Sequence, residues 1–393
     1  MKSEKLLDAI GEVKDIYIQD ANIKVSVRRT WMRWAAGAAC LCAFVVGTFV
    51  FVWNGNLSPT KNDMLPQITI PEYIDDGRGF EGYICYSAEE LENGNPWKED
   101  RELETLPVYK NGCYNPSGAG EPLGLSESEM NERLTKAVER LGQTILETES
   151  ETIGMMGGIG TEIPKDTVCS VRAVTVEGVL TAYADGKLKY ELPEGTALPV
   201  GYHFADSGIS KEEAETALEY LIKKYAALLN YDNPVITLQG EYDFSGNHHY
   251  YYIVYDAAKE YRENILNYNF RFAEFVPDPT AMQNLLLIWF TDGLAKAEKL
   301  GDYPLISVKE AKKKLLKGQY QTTVPTDMPG KDYIAKEELV YRMGPSEETM
   351  LPYYRFYVEL PDTDEYQMEN GLKIYGVYYV PAIRDEYIVN PPA

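Results

Sequence analysis

Three histidines, five cysteines and 61 carboxylates are the side chains of this 393-residue chain with the widest chemical reach. A hydrolytic triad would have to draw on His203, His248 or His249, and no G-x-S-x-G elbow supplies the serine that such a histidine would activate. His248 and His249 fall in "SGNHHYYY", which reads as a hairpin connection. Neighbouring side chains of extended backbone point to opposite faces, so the two cannot close on one metal ion. The run "GMMGGIG", residues 154–160, matches neither G-x-G-x-x-G nor the Walker pattern, and the lysine that would complete a phosphate cradle is missing. It reads as a loop between a helix and its sheet. In "PDTDEYQMENG", Asp362 and Asp364 take the first and third positions of a calcium loop, but Tyr366 and Gln367 stand at the fifth position and at the obligatory glycine. With so many acidic residues, any pair could be drawn as a glycosidase dyad, so the sequence selects none.

The cysteines sort by position. Cys40 and Cys42 lie inside an apolar run and act there as small apolar residues. Cys85, Cys113 and Cys169 lie beyond it, so at most one disulfide can form, with Cys85 and Cys113 the candidates, and one thiol is left over. No C-x-x-C pair argues for zinc. The sequence therefore offers no catalytic residue, no metal site and no cofactor site, and reads as a non-enzyme.

The element that positions everything else is the run within "TWMRWAAGAACLCAFVVGTFVFVWNGN". Residues 35–52 carry no charge, Trp34 and Trp53 bracket them, and Arg28, Arg29 and Arg33 precede them. Eighteen apolar residues are just enough to span a hydrocarbon layer, and the tryptophans extend the span as interfacial belts. A buried core helix would not need arginines and tryptophans at its ends. A cleavable leader would have a positive region over 30 residues long and no A-x-A-like site after the run. The retained anchor is the favoured reading. Residues 1–33 hold seven Lys/Arg and five Asp/Glu, a net charge of +2, whereas residues 54–393 carry −25. That sign change predicts a cytosolic N-terminus and an extracellular remainder. So acidic a remainder excludes nucleic acid as its partner.

Residues 1–33 read as a cytosolic head containing one amphipathic helix. Leu6, Leu7, Ile10, Val13, Ile16 and Tyr17 are its candidate partner-binding residues, with Leu6, Ile10, Val13 and Tyr17 on one stripe at helical spacing. A single short helix cannot bury its own stripe, which implies a partner protein or the inner membrane face; a plain leader supporting membrane insertion is the alternative. Residues 34–53 are the transmembrane helix and 54–80, rich in turn residues, a stalk. Three segments follow: 81–205, 206–300 and 301–393. Each contains a Ser-x-x-Glu capping box, Ser126 with Glu129, Ser210 with Glu213 and Ser307 with Glu310, followed by a helical apolar stripe. Strand-like stretches come after each helix, among them "LTAYADGKLKYELP", where Asp185-Gly186 signals a type I′ turn, and "ILNYNFRFAEFV". In "YYRFYVEL", Tyr354, Phe356, Val358 and Leu360 alternate with Tyr353, Arg355, Tyr357 and Glu359. The expected fold class is α+β: repeated units of a helix covering a small antiparallel sheet. The 31 tyrosines suit helix–sheet interfaces, or alternatively a surface on which glycan or peptide stacks.

The head "KLLDAIGEVKDIYIQDA", followed by basic residues and one apolar span, resembles the N-termini of anti-sigma-factor-like single-pass membrane proteins of Gram-positive bacteria. The segments "GDYPLISVKEAKKKLLKGQY", "MLPYYRFYVELP" and "YGVYYVPAI" are similar to the ectodomains of those proteins and, more loosely, to PepSY-like and YycH/YycI-type modules. The resemblance implies a membrane-anchored extracytoplasmic sensor or regulator, with a cytosolic partner such as a sigma factor. It names no catalytic residue. The rival expectation is a cell-surface module that binds glycan or peptide without signalling.

Overall fold

The computed structural model describes residues 65–70, 83–86, 91, 93–114, 124–152, 167–205, 208–242, 247–344, 347–361 and 372–392. The head, the apolar run, the glycine cluster and the acidic string 362–371 lie outside them. Leu65–Ala393 is one compact unit. Among the described residues no helix is long and apolar enough to cross a membrane.

In chain order the unit begins with β1 (Tyr83–Tyr86), β2 (Thr105–Lys110), α1 (Glu127–Arg140), β3 (Glu147–Thr152), β4 (Val168–Val174), β5 (Val179–Tyr183) and β6 (Leu188–Ala197). It continues with α2 (Lys211–Lys224), α3 (Ala226–Leu229), β7 (Pro234–Tyr242), β8 (His248–Asp256), α4 (Tyr261–Phe270), β9 (Arg271–Asp278) and β10 (Ala281–Asp292). It ends with β11 (Glu298–Pro304), α5 (Val308–Leu315), β12 (Ile334–Tyr341), β13 (Thr349–Met350), β14 (Pro352–Glu359) and β15 (Lys373–Pro381). The class is α+β, and every ladder between these strands is antiparallel.

All three capping boxes form. Ser126, Ser210 and Ser307 each accept the backbone N–H of the glutamate three residues on, and each donates its own N–H to that carboxylate at 2.8, 2.8 and 2.9 Å. Two of the helix's free N–H groups are thereby satisfied at each start. The predicted stripes turn inward: Met130, Leu134, Ala137 and Val138 on α1; Ala214, Ala217, Leu218 and Leu221 on α2; Ala311 and Leu315 on α5.

Two local expectations are corrected. The hairpin between β5 and β6 is not type I′, because only Gly186 has positive φ (91°) there and Asp185 does not. Gly186 N–H donates to Tyr183 O at 3.1 Å, and the glycine makes the bulge that returns the chain to the ladder. The first half of "ILNYNFRFAEFV" is the end of α4 and only the second half is strand. Its aromatic and branched residues favour strands, but Ile265, Leu266, Asn269 and Phe270 share one buried helical face, and that burial prevails.

The strands do not form three small sheets. Twelve join in one sheet, in the order β12-β14-β15-β1-β7-β8-β9-β10-β6-β5-β4-β3, and β11-β2-β13 form a second. The two cores also cross the expected boundaries. One lies under α1 and α2 and draws on residues 125–288; the other unites Ile68, Ile70, Trp97, Leu106 and Val108 with residues from 265 to 388. Tyr190, Tyr252, Tyr303, Tyr353, Tyr357, Tyr375 and Tyr378 are fully buried, and among the tyrosines whose burial is described only Tyr251 and Tyr333 are exposed. In the run 250–252 only Tyr251 reaches 38% exposure, so it presents no aromatic row to solvent.

Residues 65–70 are built into the second core. Ile68 donates to Tyr387 O at 2.7 Å and accepts from Val389 at 2.9 Å. The Asn390 amide brackets Ile70, accepting its N–H at 2.9 Å and donating to its carbonyl at 2.6 Å.

Gly178 allows β5 to approach β6, since a Cβ there would lie 2.4 Å from Glu191 O, whereas a Cβ on Gly142 would meet nothing despite its φ of 65°. Urea denaturation should therefore show Gly178→Ala destabilising by at least about 3 kcal/mol and Gly142→Ala by about 1 kcal/mol.

Candidate functional site

The described residue positions in β12 make it one end of the long sheet, with one edge of its backbone unpaired by strand. In an antiparallel ladder, alternate residues turn their N–H and C=O groups outward. Leu339 O accepts from the Asn95 amide at 3.2 Å and Tyr341 N–H donates to Asn269 Oδ1 at 2.9 Å, so residues 339 and 341 are outward positions met by side-chain amides. By the same alternation Glu337 faces outward too. Beside it the chain bulges between Ile334 and Lys336.

Here the structure opens a cleft of about 300 Å³, walled by Gly94, Asn95, Trp97, Lys98 and Glu99 on one side and by residues 335–338 on the other. The wall from 93 to 98 is a strap with its own internal bonds. Asn95 N–H donates to Asn93 Oδ1 at 3.2 Å, and Trp97 N–H donates to Asn95 Oδ1 at 2.9 Å. These are Asx turns, which tie a loop without strand partners. Trp97 then sets its ring edge-on to Tyr354, centroids 5.7 Å apart.

Behind the cleft lies a charged cluster. Glu338, 1% exposed, receives the Arg355 guanidinium at 2.6 and 3.1 Å and the Lys336 ammonium at 2.7 Å. Burial opposes its ionisation, but Arg355 and Lys336 outweigh that and hold the carboxyl below the usual range. Lys336 also donates to Leu91 O and, at 3.1 Å, to Asn93 Oδ1, which fixes the strap to β12. Lys312 of α5 pairs with Glu337 at 2.5 Å. Arg355 lies over the Tyr357 ring at 5.1 Å, and Arg342 lies over Tyr353 and Tyr379 at 5.7 and 5.6 Å. Arg342 pairs with Glu347 at 2.5 Å, where burial pushes the carboxyl up against the pull of the guanidinium. A carboxylate buried like that of Glu338 is tolerated as an ion only when paired, and beside the cleft Arg355 and Lys336 supply the pairing. The cleft combines an open strand edge, an aromatic wall and neutralised charge. It can bind an extended chain by backbone hydrogen bonds.

The residues singled out for other chemistry lie elsewhere. His248 and His249 open β8 opposite Tyr242 and Glu241 instead of sitting in the turn. His248 packs between the rings of Tyr242 and Tyr250, at 4.6 and 4.3 Å. Among the described residues no three His, Cys, Asp or Glu side chains gather as metal ligands. Cys113 is a free thiol and so forms no disulfide with Cys85, whose backbone lies in β1 opposite Ile374. Burial raises the Cys113 thiol to about 11, which keeps it protonated at neutral pH. Leu6, Leu7, Ile10, Val13, Ile16 and Tyr17 lie outside the described residues.

Arg355 and Tyr357 had an exposed-face pattern in sequence, yet both faces of β14 are covered. The one usable sign was "KEE" at 336–338 inside an otherwise strand-like stretch, because charge at alternate strand positions requires partners. Compared with known proteins, the chain matches no protein-family model, no curated protein and no solved structure.

Glu338→Gln leaves the part-buried Lys336 and Arg355 facing a neutral amide and should cost about 3 kcal/mol at neutral pH. Since the Glu338 carboxyl titrates lower in the fold than its unfolded value of about 4.3, its contribution is full above that pH and is lost as pH falls through the folded value. Urea titrations of both proteins across this range should converge on acidification; parallel curves would show that Glu338 is not held as an ion.

Proposed function

We propose that this chain is a single-pass membrane protein, its N-terminus cytoplasmic and its acidic α+β unit outside the cell. The unit acts as a sensor or regulator for an envelope ligand, and the head contacts a cytosolic regulator such as a sigma factor. The membrane-spanning part of this reading rests on residues 35–52, their tryptophan brackets and the change of charge across them.

The observation that carries the coupling is the clamp on residues 65–70. Ile68 and Ile70 are buried at 3% and 1% exposure and hydrogen-bonded to residues 387–390. A folded unit hung on a loose thread would transmit no orientation or strain. Here the chain that leads toward the apolar run leaves from a fixed point of the core, so a change within the core biases that point. A second reading, a surface module for extended peptide, draws on the cleft at β12. The tyrosine-stacking version for glycan loses support because Tyr251 and Tyr333 are the only exposed rings among the tyrosines whose burial is described.

The head supplies the discriminating experiment. Affinity capture of the full chain from its own cells should recover a cytosolic regulator, and the Ile10→Asp/Val13→Asp double variant should lose it at least about tenfold while still inserting in the membrane. Equal recovery by both proteins sinks the head-as-contact reading and leaves the surface module.

A further inference from the structure

Residues 308–318, "VKEAKKKLLKG", hold five lysines against one carboxylate, within a stretch of chain (54–393) that carries −25. The structure divides these lysines by role. Lys312 pairs with Glu337 at 2.5 Å and Lys314 with Asp385 at 2.5 Å. Lys309, Lys313 and Lys317 are exposed, with no ion pair among the described residues. Four residues apart, they follow one line along α5 and its last turn, opposite the buried Val308, Ala311 and Leu315. Leu316 lies among them and is 47% exposed. The lone carboxylate, Glu310, is occupied with the Ser307 cap.

This face also has a defined place. Lys314 binds Asp385, and three residues further on Ile388 bridges Ile68 of the leading segment. Eleven residues separate Trp53 from Leu65, and that stretch of chain spans at most about 40 Å when fully extended.

We infer that the Lys309, Lys313 and Lys317 face of α5, with Leu316, rests on the outer surface of an anionic bilayer. The inference depends on the membrane-anchored reading above. Anionic headgroups match the three cations, which have no ion pair among the described residues, and the exposed Leu316 beside them adds an apolar side chain at the point of contact. The tether keeps the face within reach of the bilayer. The surplus of negative charge elsewhere on the unit does not prevent this, because at physiological ionic strength charges beyond about 8 Å are screened. Docking would orient the unit and fix the point at which the chain leaves residue 65.

The test uses the full chain reconstituted into vesicles of phosphatidylcholine alone or mixed with phosphatidylglycerol, and treated with a membrane-impermeant amine-acylating reagent. Each lysine at an anionic surface shifts the docking equilibrium about fivefold. Acylation of Lys309, Lys313 and Lys317 should therefore slow by at least about fivefold in the anionic vesicles and recover in high salt. Exposed Lys136 and Lys223, on α1 and α2, serve as internal controls and should not change. In a Lys309→Gln/Lys313→Gln/Lys317→Gln variant, a fluorophore beside Leu316 should lose its energy transfer to a bilayer dye in anionic vesicles. Equal rates in both vesicles, or slowing that extends to the controls, overturns the inference. So does equal protection of the three lysines by a soluble polyanion without phosphatidylglycerol. If the chain fails to float with vesicles of either composition after a high-salt wash, it is the anchored reading that falls.

Discussion

A four-residue strand, β1, has to satisfy backbone on both of its edges, and the architecture of the folded unit depends on how it does so. Along one edge, all of Tyr83–Tyr86 pairs with β15; along the other, the register contains the single pair Cys85 with Tyr242. That narrow junction converts a four-strand group and an eight-strand group into one sheet. Each group has its own core, one under α1 and α2 and one built around residues 65–108 and the C-terminal strands. β1 joins both groups, by four residue pairs along one edge and by one along the other.

The two outer strands of that sheet solve the opposite problem, how to end it. At β3, "ETESET" places glutamates at alternate positions of an exposed strand, and like charge repels a further strand. At β12 the outward groups of Leu339 and Tyr341 are taken by Asn95 and Asn269, and a bulge bends the strand where cover stops. The cleft lies in the gap between these devices. Its charged cluster is held by one network: Lys336 ties the strap to the strand while Glu338 ties Lys336 to Arg355. Edge, strap and buried charge therefore depend on one another, and together they give the cleft its shape.

Much of the local structure was legible. The capping boxes announce three helix starts because their bonds run between residues three apart, and their apolar stripes announce the buried faces for the same reason. Legibility failed where a local preference met a distant one. Residues 265–270 carry strand-forming side chains but fold as a helix, because their burial against the second core outweighs propensity. In β14, alternation suggested one wet face, and a second layer of chain covers it. The candidate site was the least legible part. Asn95 lies 244 residues from its acceptor Leu339, and Arg355 lies 17 from Glu338, so no periodicity could join them.

By itself the sequence determined what depends on near neighbours and on bulk solvent: the α+β class, the helix starts, most strands, and a charge distribution that separates an acidic unit from a basic, apolar leader. Short-range hydrogen bonds and the partition of side chains between water and oil are encoded residue by residue. Only the tertiary structure decided which strands pair, that one long sheet replaces several small ones, which lysines of α5 form ion pairs among the described residues, and where the sheet edge is left open. Those outcomes turn on contacts between residues from tens to hundreds of positions apart, whose energies exist only once the chain has closed on itself.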